Sequence, residues 1–161
     1  HGSYQRQLSI KDALEQVVYR QDGQGYLREF FVSMSEPVMA LHYRADAGSS
    51  LELRISLDSQ IRHACSAFGT SGLVLEGQAP VYAAPSYYSC EHPIVYEEGK
   101  GTRFAIAISV QAPNAASVKK DNTLLVTADN DVYIYLSGDN GFFRHRILIL
   151  SRKKTDAGTD L

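Results

Sequence analysis

The sequence predicts a mainly β fold: an antiparallel β-sandwich or a closed β-barrel with one short N-terminal α-helix. Three observations carry that prediction. Leu51, Leu53, Ile55 and Leu57 alternate with Glu52, Arg54, Ser56 and Asp58, the period of a strand with one buried and one wet face. Phe104, Ile106, Ile108 and Val110 repeat the pattern. Ten Tyr and six Phe, with no Trp, add residues that suit a pleated, half-buried surface.

The helix is expected over residues 10–21. Ser9 is a capping residue, and Asp12 lies three positions on, close to a capping box. Ile10, Ala13, Leu14, Val17 and Val18 then recur at helical spacing, and Gly23 and Gly25 close the segment. The phrase Leu8-Ser9-Ile10-Lys11-Asp12-Ala13-Leu14-Glu15-Gln16-Val17 resembles the first helix of the small N-terminal domain of secretins and TonB-dependent receptors. That likeness covers about a tenth of the chain. The β-rich remainder departs from their α/β pattern, and no function is carried over.

After the helix the period changes to two. Residues 26–33 and 38–44 read as strands, followed by the alternating run at 51–58. Toward the C-terminus the pattern is a meander. It comprises a strand at Thr123–Thr127, a turn at Asp129-Asn130-Asp131, a strand at Val132–Leu136, a turn at Gly138-Asp139-Asn140-Gly141 and a last strand at Phe142–Leu150. Residues 62–99 are the least regular stretch, with three of the five prolines and both cysteines. Such loops on a rigid scaffold are where binding residues gather.

The length of 161 residues suits one domain, expected over residues 4–151 with a polar tail at 152–161. A net charge of −2 argues against nucleic acid, whose binders carry a basic excess. No apolar run is long enough for a membrane helix. The opening His1-Gly2-Ser3 reads as an expression remnant, so the lack of a leader says nothing about export.

The cysteines offer two chemistries. A Cys65–Cys90 disulfide would staple the irregular stretch, and an even cysteine count fits an exported protein. The mirrored pairs His63-x-Cys65 and Cys90-x-His92 provide four ligands of the kind tetrahedral zinc takes. The disulfide is the expectation, with no metal and no cofactor. Asp129, Asp131 and Asp139 could gather around calcium, but turns explain them equally well. Gly69-Thr70-Ser71-Gly72 lacks the spacing of a nucleophile elbow, and Gly23-Gln24-Gly25 lacks the third glycine of a dinucleotide fingerprint.

With no catalytic motif complete, the sequence points to a non-catalytic binding or assembly module. It would be periplasmic or extracellular and contact a protein partner. The alternatives are a lectin-like domain that stacks sugars on Tyr82, Tyr87, Tyr88 and Tyr96, or a small metal-dependent enzyme using the His/Cys set.

Overall fold

The computed structural model describes residues 3–112, 116–120 and 122–140, with the backbone alone for 116–120. Among these residues the chain forms strands and no helix. The strands are β1 (Tyr4–Ser9), β2 (Leu14–Gln21), β3 (Gln24–Val32), β4 (Val38–Ala45), β5 (Leu51–Ser56), β6 (His63–Phe68) and β7 (Gly72–Gln78). They continue with β8 (Tyr82–Ala83), β9 (Ile94–Val95), β10 (Arg103–Gln111), β11 (Ala116–Lys120), β12 (Thr123–Ala128) and β13 (Asp131–Asn140).

The segment expected to be helical is a turn followed by the whole of β2. The local cap is present: Ser9 Oγ donates to Asp12 Oδ2 at 2.7 Å and accepts from the Asp12 N–H at 3.3 Å. The turn stops after one revolution because Ala13 enters the left-handed region, at φ 51°, where a helix cannot continue. Leu14 then pairs with Ser9, and β2 runs back along β1. Asp22 and Gly23 have φ values of 53° and 85°. Two positive φ angles are what a two-residue hairpin requires, and Asp-Gly supplies them at low strain. Two β-branched residues and an aromatic, Val17-Val18-Tyr19, side with the strand. The strand buries Val17 to 8% exposure and sends its neighbour Val18 to the opposite face, whereas Ile10, part of the supposed stripe, is 89% exposed at the turn. The likeness to the secretin-type helix therefore does not extend to structure.

Eight strands form one antiparallel sheet in the order β1-β2-β3-β4-β13-β10-β7-β6, and β11-β12-β5 form a second. The barrel alternative is excluded, because the large sheet is open, with β1 and β6 at its edges. The two sheets share one core, in a sandwich-like arrangement. Leu51 on β5 and Leu124, Val126 and Ala128 on β12 meet Ala45 on β4, Leu73 on β7, Ile108 and Val110 on β10 and Val132 and Ile134 on β13. Each of the Leu, Ile and Val side chains among them is worth about 1.5–3 kcal/mol when removed from water.

The expected strands at 26–33, 38–44, 51–58 and 123–127 are observed as β3, β4, β5 and β12. The turn expected at Gly138-Asp139-Asn140-Gly141 is not seen at its first three residues. They continue β13 and pair with Ile106, Ala105 and Phe104, so cross-strand pairing overrides their turn preference. The expected strand at 142–150 and the tail at 152–161 lie outside the described residues. The stretch 62–99 is more regular than its pattern implies: β6 and β7 complete the large sheet, and irregular chain is confined to the excursion carrying β8 and β9.

Candidate functional site

The small sheet covers only part of the large one, and β1, β2 and β3 extend past its edge strand β5. Directly opposed residues in a sheet share a face, so the register gives three rows on the face that continues the core. They are Tyr4, Tyr19, Tyr26 and Ala45; Arg6, Val17, Arg28 and Tyr43; and Leu8, Glu15, Phe30 and Leu41. Where the small sheet no longer covers these rows they line an open cleft of about 390 Å³, formed by Tyr4, Arg6, Glu15, Val17, Tyr19, Arg28 and Phe30. Toward β5 it adjoins a second concavity, to which Tyr26, Tyr43, Arg44, Leu51 and Glu52 contribute.

The cleft is aromatic and charged at once. Tyr19 and Tyr26 stack with centroids 5.0 Å apart, and Phe30 meets Tyr43 edge to face at 6.1 Å. The Arg28 guanidinium lies 4.9 Å from the Tyr19 centroid and 5.6 Å from that of Tyr43, and donates to the Tyr19 hydroxyl at 2.8 Å. Arg6 Nε donates to Glu15 Oε1 at 2.6 Å. Tyr4, at 67% exposure, presents its ring to solvent.

The opposite face of the same strands is polar. Gln7, Gln16, Glu29, His42 and Tyr133 form one straight row across β1, β2, β3, β4 and β13. Gln7 donates to Gln16 at 2.8 Å, and Gln16 donates to Glu29 at 2.7 Å. His42 bridges two carboxylates, with Nδ1 2.9 Å from Glu29 Oε2 and Nε2 2.7 Å from Asp131 Oδ1. The imidazolium form donates to both. The His42 hydrogen bond, followed by that of Gln16, holds the Glu29 carboxyl below its ordinary value.

Sequence reasoning missed both faces, because it placed their N-terminal strands in a helix. The signals were present: Tyr4, Arg6 and Leu8, then Glu15, Val17 and Tyr19, each alternate on either side of a one-turn cap, and Asp22-Gly23 marks the next hairpin.

The expected site residues are only partly assembled. Tyr82, Tyr87 and Tyr88 are exposed on the β8–β9 excursion. Tyr96 is structural: its hydroxyl accepts from the Arg62 N–H at 3.0 Å, and its ring carries the Arg62 guanidinium at 4.2 Å. Cys65 and Cys90 are free thiols, so the expected disulfide is not formed. Cys65 packs against the core from β6, while Cys90 sits in the excursion between β8 and β9. The argument for export that rested on the pair lapses with it.

His63 and Cys65 do share a face, being opposite Gly77 and Leu75. However, His63 donates through Nδ1 to the Ile61 carbonyl at 2.8 Å and has Asp58 3.2 Å from Nε2, and His92 stands exposed beside Glu91. No group of three potential metal ligands occurs among the described residues. Asp131 and Asp139 lie eight positions apart on β13, roughly 26 Å at strand rise, too far to share an ion.

Residues 1–144 match the family described as "Glycosyl hydrolase family 65, N-terminal domain". The chain belongs to that family. The family 65 domain is 28% identical over 123 residues to alpha-L-fucosidase 2 of Arabidopsis thaliana, spanning 73% of this chain and 14% of that protein. It resembles the solved structure of a protein assigned as a kojibiose phosphorylase from the human microbiome, with a TM-score of 0.50 and 11% identity over 87% of this chain and 20% of that one. At that identity the likeness is one of fold. Membership overturns the leading expectation from sequence, a non-catalytic binding or assembly module contacting a protein partner, and places the family 65 domain in a carbohydrate-related family. Among its described residues no helix is long and apolar enough to cross a membrane.

Proposed function

We propose that this chain is a carbohydrate-binding domain of a glycoside-acting protein, and that it holds saccharide in the cleft over β1, β2 and β3. The observation that carries this reading is the exposed Tyr4 ring beside the Arg6–Glu15 pair and Arg28. Sugars present apolar C–H faces, which aromatic rings cover, and hydroxyls, which charged planar groups engage by directional hydrogen bonds. Tyr19 is already committed to Tyr26 and Arg28, so Tyr4 is the ring offered to a ligand.

Bond cleavage is assigned elsewhere in the full protein. Glycoside hydrolysis uses two carboxyl groups flanking the scissile bond, and Glu15 in the cleft is taken up by Arg6. The chain spans 14% and 20% of the two proteins it resembles, which leaves most of such a protein to supply the chemistry. Calorimetric titration of the chain with a panel of neutral and acidic oligosaccharides tests this. At least one glycan should bind, and Tyr4→Ala should weaken it about tenfold, the equivalent of one good contact. A panel with no binder refutes the reading.

A second reading keeps the tyrosines expected from sequence. Tyr87 is 89% exposed at the tip of the β8–β9 excursion, and with Tyr82 and Tyr88 it offers a separate stacking surface. Binding that survives Tyr4→Ala but is lost in Tyr87→Ala would favour it.

A further inference from the structure

We propose that the cleft selects an acidic saccharide, a uronate whose carboxylate pairs with Arg28; the proposal rests on the reading of this cleft as the sugar site. Its charge is unbalanced. Two arginines and one glutamate line it, and the glutamate is committed to Arg6. Toward β5, Arg44 and Glu52 add one charge of each sign. Arg28 makes no ion pair with any described residue.

Arg28 is also pre-oriented. Tyr19 and Tyr43 lie against its guanidinium, and the Tyr19 hydroxyl accepts from Nη2. Aromatic contact and one fixed hydrogen bond restrict the rotamers of a long side chain, which lowers the entropy lost on binding. The remaining N–H groups form the planar fork that matches two carboxylate oxygens. A neutral sugar leaves that charge without a partner, whereas a uronate whose ring rests on Tyr4 can complete it.

The test compares α-1,4-linked trigalacturonate with its fully methyl-esterified form, which keeps the sugar and removes the charge. Both are titrated calorimetrically into the chain at low and at moderate salt. The acid should bind about tenfold or more tighter, as a charge-assisted hydrogen-bonded pair requires, and its advantage should shrink as salt rises. Arg28→Met should abolish the advantage of the acid over the ester, whatever affinity for the ester remains. Arg28→Lys should retain only part of it, because an ammonium lacks the fork, and it serves as the folded control if the Met variant melts early.

Equal binding of acid and ester by the unmodified chain would overturn the selectivity while leaving the cleft a sugar site. Binding of neither, together with failure of the wider panel, would overturn both. A preference that persists in folded Arg28→Met would remove Arg28 from the role.

Discussion

His42 and Tyr133 stack face to face across the β4–β13 pair, with ring centroids 4.3 Å apart and an interplanar angle of 1°. The stack holds the imidazole edge between Glu29 on β3 and Asp131 at the start of β13. One side chain thus ties three neighbouring strands, its orientation set by a ring and each of its two nitrogens within hydrogen-bond reach of a carboxylate.

Acid should loosen this arrangement at Glu29. Its carboxyl is held below the ordinary 4.5 by the His42 hydrogen bond and then by that of Gln16. A depressed folded-state value means that the contribution is complete above the unfolded-state value and is lost as pH falls through the folded one. Glu29→Gln should therefore be less stable than the parent near neutrality, and the gap should close on acidification. Urea melts at intervals from about pH 6 to about pH 2 will read it. Parallel curves would show that the pair contributes nothing.

The Asp22-Gly23 hairpin gives a prediction about backbone strain alone. Gly23 sits at φ 85°, and a Cβ built there meets nothing within 4 Å. Only backbone strain opposes substitution, so Gly23→Ala and Gly23→Leu should both cost about 1–2 kcal/mol, with little difference between them. Thermal melts of the two variants decide it.

Both cysteines should behave as thiols. Denatured without reductant, the chain should take up two equivalents of iodoacetamide, measured by intact mass. Native protein should label faster at Cys90, in its short excursion, than at Cys65, which packs against the core from β6. A mass lacking both adducts would restore the disulfide.

The β class and most central strands were legible in the sequence because period-two burial is written directly into residues such as Leu51, Leu53 and Ile55. The N-terminal hairpins were not. Ser9 and Asp12 make a genuine cap, and Val17 and Val18 fit a helical stripe as well as they fit adjacent positions of a strand. What separates the two is pairing with β3, which no local pattern encodes. The candidate cleft was hidden for the same reason: Tyr4, Glu15 and Arg28 are neighbours only once the β1–β2–β3 register exists. Of the four tyrosines that the sequence offered as a contact surface, Tyr82, Tyr87 and Tyr88 are exposed, whereas Tyr96 has a packing role under Arg62.

The strand that joins the two halves of the large sheet is the last one described. β13 pairs β4 on one side and β10 on the other, so until residues 131–140 leave the ribosome the β1–β4 meander and the β10-β7-β6 group have no shared backbone bond. A nascent chain at that stage carries two unprotected interior edges, each able to recruit a stray strand. Closure then joins residues 87 to 99 positions apart, from the Asp131–Arg44 pair to the Ser137–Val38 pair, separations that make for slow folding. Synthesis therefore passes through an interval in which the emerging polypeptide depends on chaperone shelter more than the finished sheet ever does.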